Sequence, residues 1–138
     1  MNKLIVTFLV AAALAFGQAG KSPHAKVLTR AEMDALLAKP GEVLLIDVRQ
    51  PDEISKNGGF PVYLNVQINA LQTSLAWIPR DRRVVAVSNH AHRGAEAADI
   101  LSRAGFKVAG AVGALSYEEE GGKLTRIAPR PPEPNAKE

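Results

Sequence analysis

Two stretches of this 138-residue chain carry side chains whose types and spacing could do chemistry. The longer is Ser88-Asn89-His90-Ala91-His92-Arg93-Gly94, which follows the apolar run Val84–Val87 and leads into a helical pattern. A short loop entering a helix turns several backbone N–H groups toward one point, and the helix dipole adds positive potential there. Arg93 and two imidazoles strengthen that seat, which makes the loop a candidate oxyanion site. The shorter stretch is Asp47-Val48-Arg49, at the end of the apolar run Val43–Ile46. Ser88, His90, His92 and Asp47 also include a nucleophile, a base and an orienting acid, the components of a hydrolase. Against that stands the ordinary behaviour of loop histidines two residues apart, which is to face solvent. His90 and His92 form a His-x-His pair, two borderline ligands where zinc takes three or four. His24 is remote in sequence, so no metal and no other cofactor is assigned.

Such groups need a scaffold, and the rest of the chain reads as one. In open α/β sheets the site lies beyond the carboxyl ends of the central strands. Lys26-Val27-Leu28 reads as a short strand. Thr29 followed by Glu32 is a capping box, opening a helix with Met33, Leu36 and Leu37 on one face that stops at Pro40-Gly41. Val43–Ile46 is a continuous β-prone run, as in a strand buried on both faces. Pro51-Asp52-Glu53-Ile54 starts a helix that Asn57-Gly58-Gly59 ends. A short strand falls within Tyr63–Ile68, and a helix from Leu71 to Ile78 turns Leu71, Leu75 and Ile78 inward.

Val84–Val87 is a second central strand. The helix after the loop is expected from Gly94 to Ala104, burying Ala97, Ala98, Ile100 and Leu101, with Gly105 as its stop. Phe106-Lys107-Val108 reads as a further strand, and Leu115–Glu120 as a last short helix. This alternation defines an α/β domain with a mainly parallel central sheet. Several residues have plainer roles. Arg49 and Glu53, four apart, are expected to form a local salt bridge. Arg80, Arg82 and Arg83 at a turn, and Glu118–Glu120, read as solvated charges, and Trp77 as packing or a partly exposed anchor.

Composition narrows the functions available. The chain has 17 Lys and Arg against 14 Asp and Glu, a formal charge of +3, too small to argue for nucleic acid. Aromatic residues, at 5%, leave little for stacking on bases. There is no cysteine. That absence removes disulfides, Cys-ligated zinc, iron–sulfur clusters and every thiol-based mechanism. Met1-Asn2-Lys3, the uncharged thirteen residues Leu4–Phe16 and the small residues after them read as a secretory signal over residues 1–19. Cleavage is expected after Ala19 or Gly17. The mature chain is then an exported protein, periplasmic or extracellular, with no membrane segment. Residues 25–127 form the domain. Residues 128–138, with four prolines in eleven positions, form an extended tail.

Taken together, the motifs resemble the rhodanese-like domain family. Asp47 and Arg49 match its Asp-x-Arg at a strand end, and Glu53-Ile54 stands for its Glu-aromatic pair. Asn65, Arg93 closing the loop, the helix after it and Gly105-Phe106 follow in order. Gly113 and Tyr117 stand where its last Gly and its Trp fall. The resemblance implies a three-layer fold, with helices on both faces of the sheet, and sulfurtransferase chemistry carried as a persulfide on a cysteine at the head of the loop. In this chain that position is Ser88. Gly58-Gly59-Phe60-Pro61 lacks the family's His, and Val62 replaces its second Gly. A serine oxygen cannot form the persulfide carrier, and no other cysteine can substitute. Asp47 and Arg49 are expected to support the loop. The remaining expectation is a non-catalytic module that binds a small oxyanion or a protein partner at Ser88, Asn89, His90, Ala91, His92, Arg93 and Gly94. A Ser/His hydrolase and a His-x-His metal-binding protein are the alternatives.

Overall fold

The structure, a computed structural model, describes residues 23–126. The expected signal segment 1–19 and the proline-rich residues 128–138 lie outside the described residues. Among those described, no helix is long and apolar enough to cross a membrane.

The chain enters the fold through a single bridge. Leu28 N–H donates to Ala111 C=O and Ala111 N–H to Lys26 C=O, both at 2.8 Å. The strand expected at Lys26–Leu28 is therefore one parallel bridge at Val27, because the capping box at Thr29 turns the chain at once into α1 (Arg30–Leu37). In that box Thr29 Oγ1 accepts from Glu32 N–H while Glu32 accepts from Thr29 N–H. Next come β1 (Val43–Asp47), α2 (Pro51–Asn57) and β2 (Leu64–Asn65). Then follow α3 (Leu71–Ser74), β3 (Arg83–Ser88), α4 (His92–Arg103), β4 (Val108–Gly113) and α5 (Ala114–Glu119).

The sheet has four strands in the order β2-β1-β3-β4, all parallel. Alternate residues of the central strands feed two cores, as the period of two requires. Leu44, Ile46, Val84 and Ala86 pack with Leu71 and Ile78 and with Ala97, Ala98 and Leu101 of α4. Val43, Leu45, Val85 and Val87 pack on the other face with Met33 of α1 and Tyr117 of α5. The result is the three-layer α/β arrangement, with β1 and β3 buried on both faces.

Three expectations are corrected in detail. The helix expected over 71–78 is one α turn between the 3-10 turns Ile68–Ala70 and Leu75–Trp77. Thr73 Oγ1 donates to Ala70 C=O, the local competition that makes Ser and Thr poor helix interiors. Trp77 does not pack and is 87% exposed. The strand expected at Phe106–Val108 instead begins at Val108 and runs to Gly113. Its sequence Val-Ala-Gly-Ala-Val-Gly has glycines at two points where neighbours press on it. A Cβ at Gly110 would lie 2.6 Å from Lys26 C=O, and one at Gly113 would lie 2.9 Å from Ala91 N and Asn89 O.

Candidate functional site

The order β2-β1-β3-β4 sends the chain away from β1 in opposite directions on its two sides, so a crevice opens where β1 and β3 end. Register places Asp47 opposite Val87, and Val48 N–H donates to Val87 C=O at 2.9 Å. Asp47–Arg49 and Ser88–Asn89 are thereby set side by side, as the sequence suggested.

Asp47 and Arg49 are 1% and 0% exposed. Arg49 Nε donates to Asp47 Oδ1 at 2.9 Å, and Nη2 donates to Asp47 Oδ2 at 2.7 Å. The Arg49 backbone N–H also donates to Asp47 Oδ1. Nη2 reaches Gly58 C=O at 3.1 Å, and Nη1 reaches Asn89 Oδ1 at 3.0 Å. A buried arginine survives only when its donors are taken, and here one fork ties β1, the end of α2 and the loop together. The salt bridge expected between Arg49 and Glu53 does not form. Arg49 precedes α2 and is outside its helical register, so the four-residue spacing does not bring the two side chains together.

Glu53 goes instead to the loop. Arg93 Nη1 and Nη2 donate to its two oxygens at 2.9 and 2.5 Å, and Asn89 Nδ2 donates to Oε1 at 2.9 Å. Gln50 N–H adds a fourth bond at 2.9 Å. The Arg93 guanidinium, followed by the Gln50 amide, holds the Glu53 carboxyl down at about 2 against the opposing effect of burial. The same pairing raises the Arg93 pKa. A chain of polar contacts thus runs Asp47, Arg49, Asn89, Glu53, Arg93, with two anions balancing two cations. Sequence reasoning missed Glu53 as a site residue. The available signal was its place in the Glu-aromatic pair of the resembled family.

Because the folded pKa of Glu53 lies below the ordinary 4.5, its contribution to stability is present above about pH 4.5 and is lost as pH falls toward about 2. Urea denaturation of the parent and of Glu53→Gln should therefore give a stability difference that shrinks steadily between those pH values.

Ser88 is 1% exposed, and its Oγ accepts from Gly94 N–H at 3.0 Å. The helix α4 starts at His92, two residues before the expected Gly94, so His92 and Arg93 belong to its first turn. Ile100 is only half-buried, whereas Ala97, Ala98 and Leu101 are buried as expected. Ala91, the residue before α4, has φ +64 in the left-handed region. The N–H groups of His90, Ala91 and Arg93 meet no acceptor among the described residues. Left-handed backbone costs a residue with a Cβ about 1–2 kcal/mol. Ala91→Gly is therefore expected to stabilise the fold by about 0.5–1 kcal/mol after its unfolded-state entropy is counted, read as a Tm raised by a few degrees.

His90 and His92 are exposed. His92 Nδ1 lies 3.4 Å from Glu96 Oε1, and neither imidazole is hydrogen-bonded to Ser88. The Asp47 carboxylate is taken by Arg49, so nucleophile, base and acid are not assembled into a triad. Among the described residues, no group of three or more His, Asp or Glu side chains is placed to hold a metal ion. Beside the loop lies an open groove of about 370 Å³ whose lining includes His90, Ala91 and His92 with Leu28, Arg30 and Tyr117. Tyr117 is positioned by its hydroxyl donating to Asp34 at 2.6 Å and by a tilted contact with Phe60, ring centres 5.1 Å apart. Burial, then the Asp34 bond, raises its pKa. Glu118 and Glu120 are not merely solvated, since Glu118 pairs with Arg126 and Glu120 accepts from Arg30 N–H.

Known proteins fit this geometry. The family model for the rhodanese-like domain matches residues 29–116, and the chain belongs to that family. No curated protein matches the chain. The chain is similar to a rhodanese-related protein from Thermoplasma volcanium, at 25% identity over 72% of this chain and 97% of that one, with a TM-score of 0.63. It is similar to a thiosulfate sulfurtransferase from Pseudomonas aeruginosa at 26% identity, covering 75% of this chain and 20% of that one, TM-score 0.59. A protein of unknown function from Rhodopseudomonas palustris, described as a possible tyrosine phosphatase, shares the fold at 24% identity, over 73% and 85% of the two chains, TM-score 0.63. Within this family, the present chain is a rhodanese-like domain without cysteine.

Proposed function

We propose that this domain is a non-catalytic binding module, acting after export, whose Ser88–Gly94 loop takes an oxyanion. One observation supports the reading above others. The loop keeps N–H groups that meet no acceptor among the described residues at the start of a twelve-residue helix, while the residue at its head is a buried, hydrogen-bonded serine. Helix starts with free amides favour anions. Persulfide chemistry has no cysteine thiol on which to run. A hydrolase reading is weaker, because Asp47 is committed to Arg49 and no imidazole bonds to Ser88.

Sulfate, phosphate and thiosulfate should each raise the melting temperature of the parent in a saturable way, since a ligand that binds only the folded state stabilises it. Arg93→Ala should lose most of that response. A parent whose melting temperature is unmoved by all three anions would contradict small-anion binding. Export after cleavage near Ala19 is tested by the N-terminal sequence of the protein recovered outside the cytoplasm.

A further inference from the structure

We infer that Glu53 is a built-in competitor for the loop, a carboxylate of the chain itself that must give way before an external oxyanion can use Arg93 and Asn89. The inference rests on the proposed anion-binding reading and adds how that binding is regulated. Glu53 accepts four hydrogen bonds, three of them from loop side chains: two from Arg93 and one from Asn89. Two parallel bonds from a guanidinium are the geometry by which arginine also takes sulfate or phosphate. The donor fork that a ligand would need is therefore already filled by a group of the same chemistry.

The two carboxylates in the network differ in how firmly they are held. Asp47 and its partner Arg49 have side chains 1% and 0% exposed, closed in by Gly58 and Asn89. Glu53 and Arg93 are 24% and 35% exposed, and of the seven-residue helix that carries Glu53 only Ile54 is buried. The first pair fixes the donors, since Asn89 is oriented by Arg49 Nη1 on its carbonyl side. The second pair is the one that can open to solvent. An intramolecular carboxylate acts at high effective concentration, so only an anion with more charge than a carboxylate competes well. Doubly charged tetrahedral oxyanions should bind better than acetate or chloride.

The test is calorimetric titration with sodium sulfate at constant ionic strength, on the parent, Glu53→Gln, Arg93→Ala and the double variant. Glu53→Gln keeps the shape and removes the charge, and with it the like-charge repulsion of an incoming anion. Sulfate should bind Glu53→Gln at least about tenfold more tightly than the parent, and Arg93→Ala should abolish the gain. Glu53→Ala, measured in parallel, should shift affinity in the same direction. A parent that binds sulfate as tightly as both Glu53 variants would overturn the competitor role while leaving anion binding in place. Absence of binding in every variant would overturn both.

Discussion

Arg49→Ala is expected to destabilise the domain by about 3–5 kcal/mol, the usual cost of leaving one member of a buried ion pair without the other. Domains of this size have only about 5–15 kcal/mol in total, so the variant should sit near the edge of folding at 25 °C. The reason lies in how many groups depend on this one side chain. Arg49 neutralises Asp47, satisfies Gly58 C=O and orients Asn89, and at an exposure of 0–1% for the ion pair Asp47 has no water to take its place. Arg49→Lys should recover little, because an ammonium cannot reproduce a planar fork that serves three partners. Asp47→Asn should be costly as well. The double replacement should cost less than the sum of the single ones, since it removes both charges together. Urea midpoints for the parent and the four variants, at unchanged slope, provide the check.

Ser88→Cys is expected to take up sulfane sulfur, where the parent is expected to take up none. The thiol would stand where Ser88 Oγ now accepts from Gly94 N–H, at the start of α4. A helix N-terminus lowers a thiol pKa from its reference of about 8.5, which supplies thiolate near neutral pH. The thiolate then attacks the outer sulfur of thiosulfate. A new S–S bond forms on the cysteine, the S–S bond of thiosulfate breaks, and sulfite leaves with the electron pair. Intact mass after incubation with thiosulfate should show Ser88→Cys one sulfur atom heavier, with the parent and Ser88→Ala unchanged. A Ser88→Cys protein that folds and remains unmodified would mean that the loop has lost the family's geometry along with its cysteine.

Much of this was legible in the sequence because short-range rules decide it. The capping box Thr29–Glu32, the buried runs Val43–Ile46 and Val84–Val87, and the strand–helix alternation define an α/β domain with a mainly parallel sheet without tertiary information, and the resemblance to the family implied its three layers. The same holds for Asp47 and Arg49 beside the loop, since both follow central strands. Less legible was anything set by contact between distant elements. Strand β4 has glycine at positions 110 and 113 because Lys26 and the loop press against those points, and local propensity does not report that pressure. The start of α4 at His92 depends on a left-handed Ala91, which residue type alone argues against. Glu53 was read as a partner for Arg49 through helical spacing, yet its partners lie 36 and 40 residues away on the loop. An electropositive seat in the sequence is thereby a charge-balanced one in the fold.

The central claim is that this domain keeps the rhodanese-like loop without its sulfur carrier. The most direct test is thiosulfate:cyanide sulfurtransferase turnover by the purified parent, with Ser88→Ala and Ser88→Cys measured alongside. Thiocyanate formation by the parent should be no faster than by Ser88→Ala or by buffer, with activity above that background only in Ser88→Cys. Turnover by the parent that disappears in Ser88→Ala would contradict it.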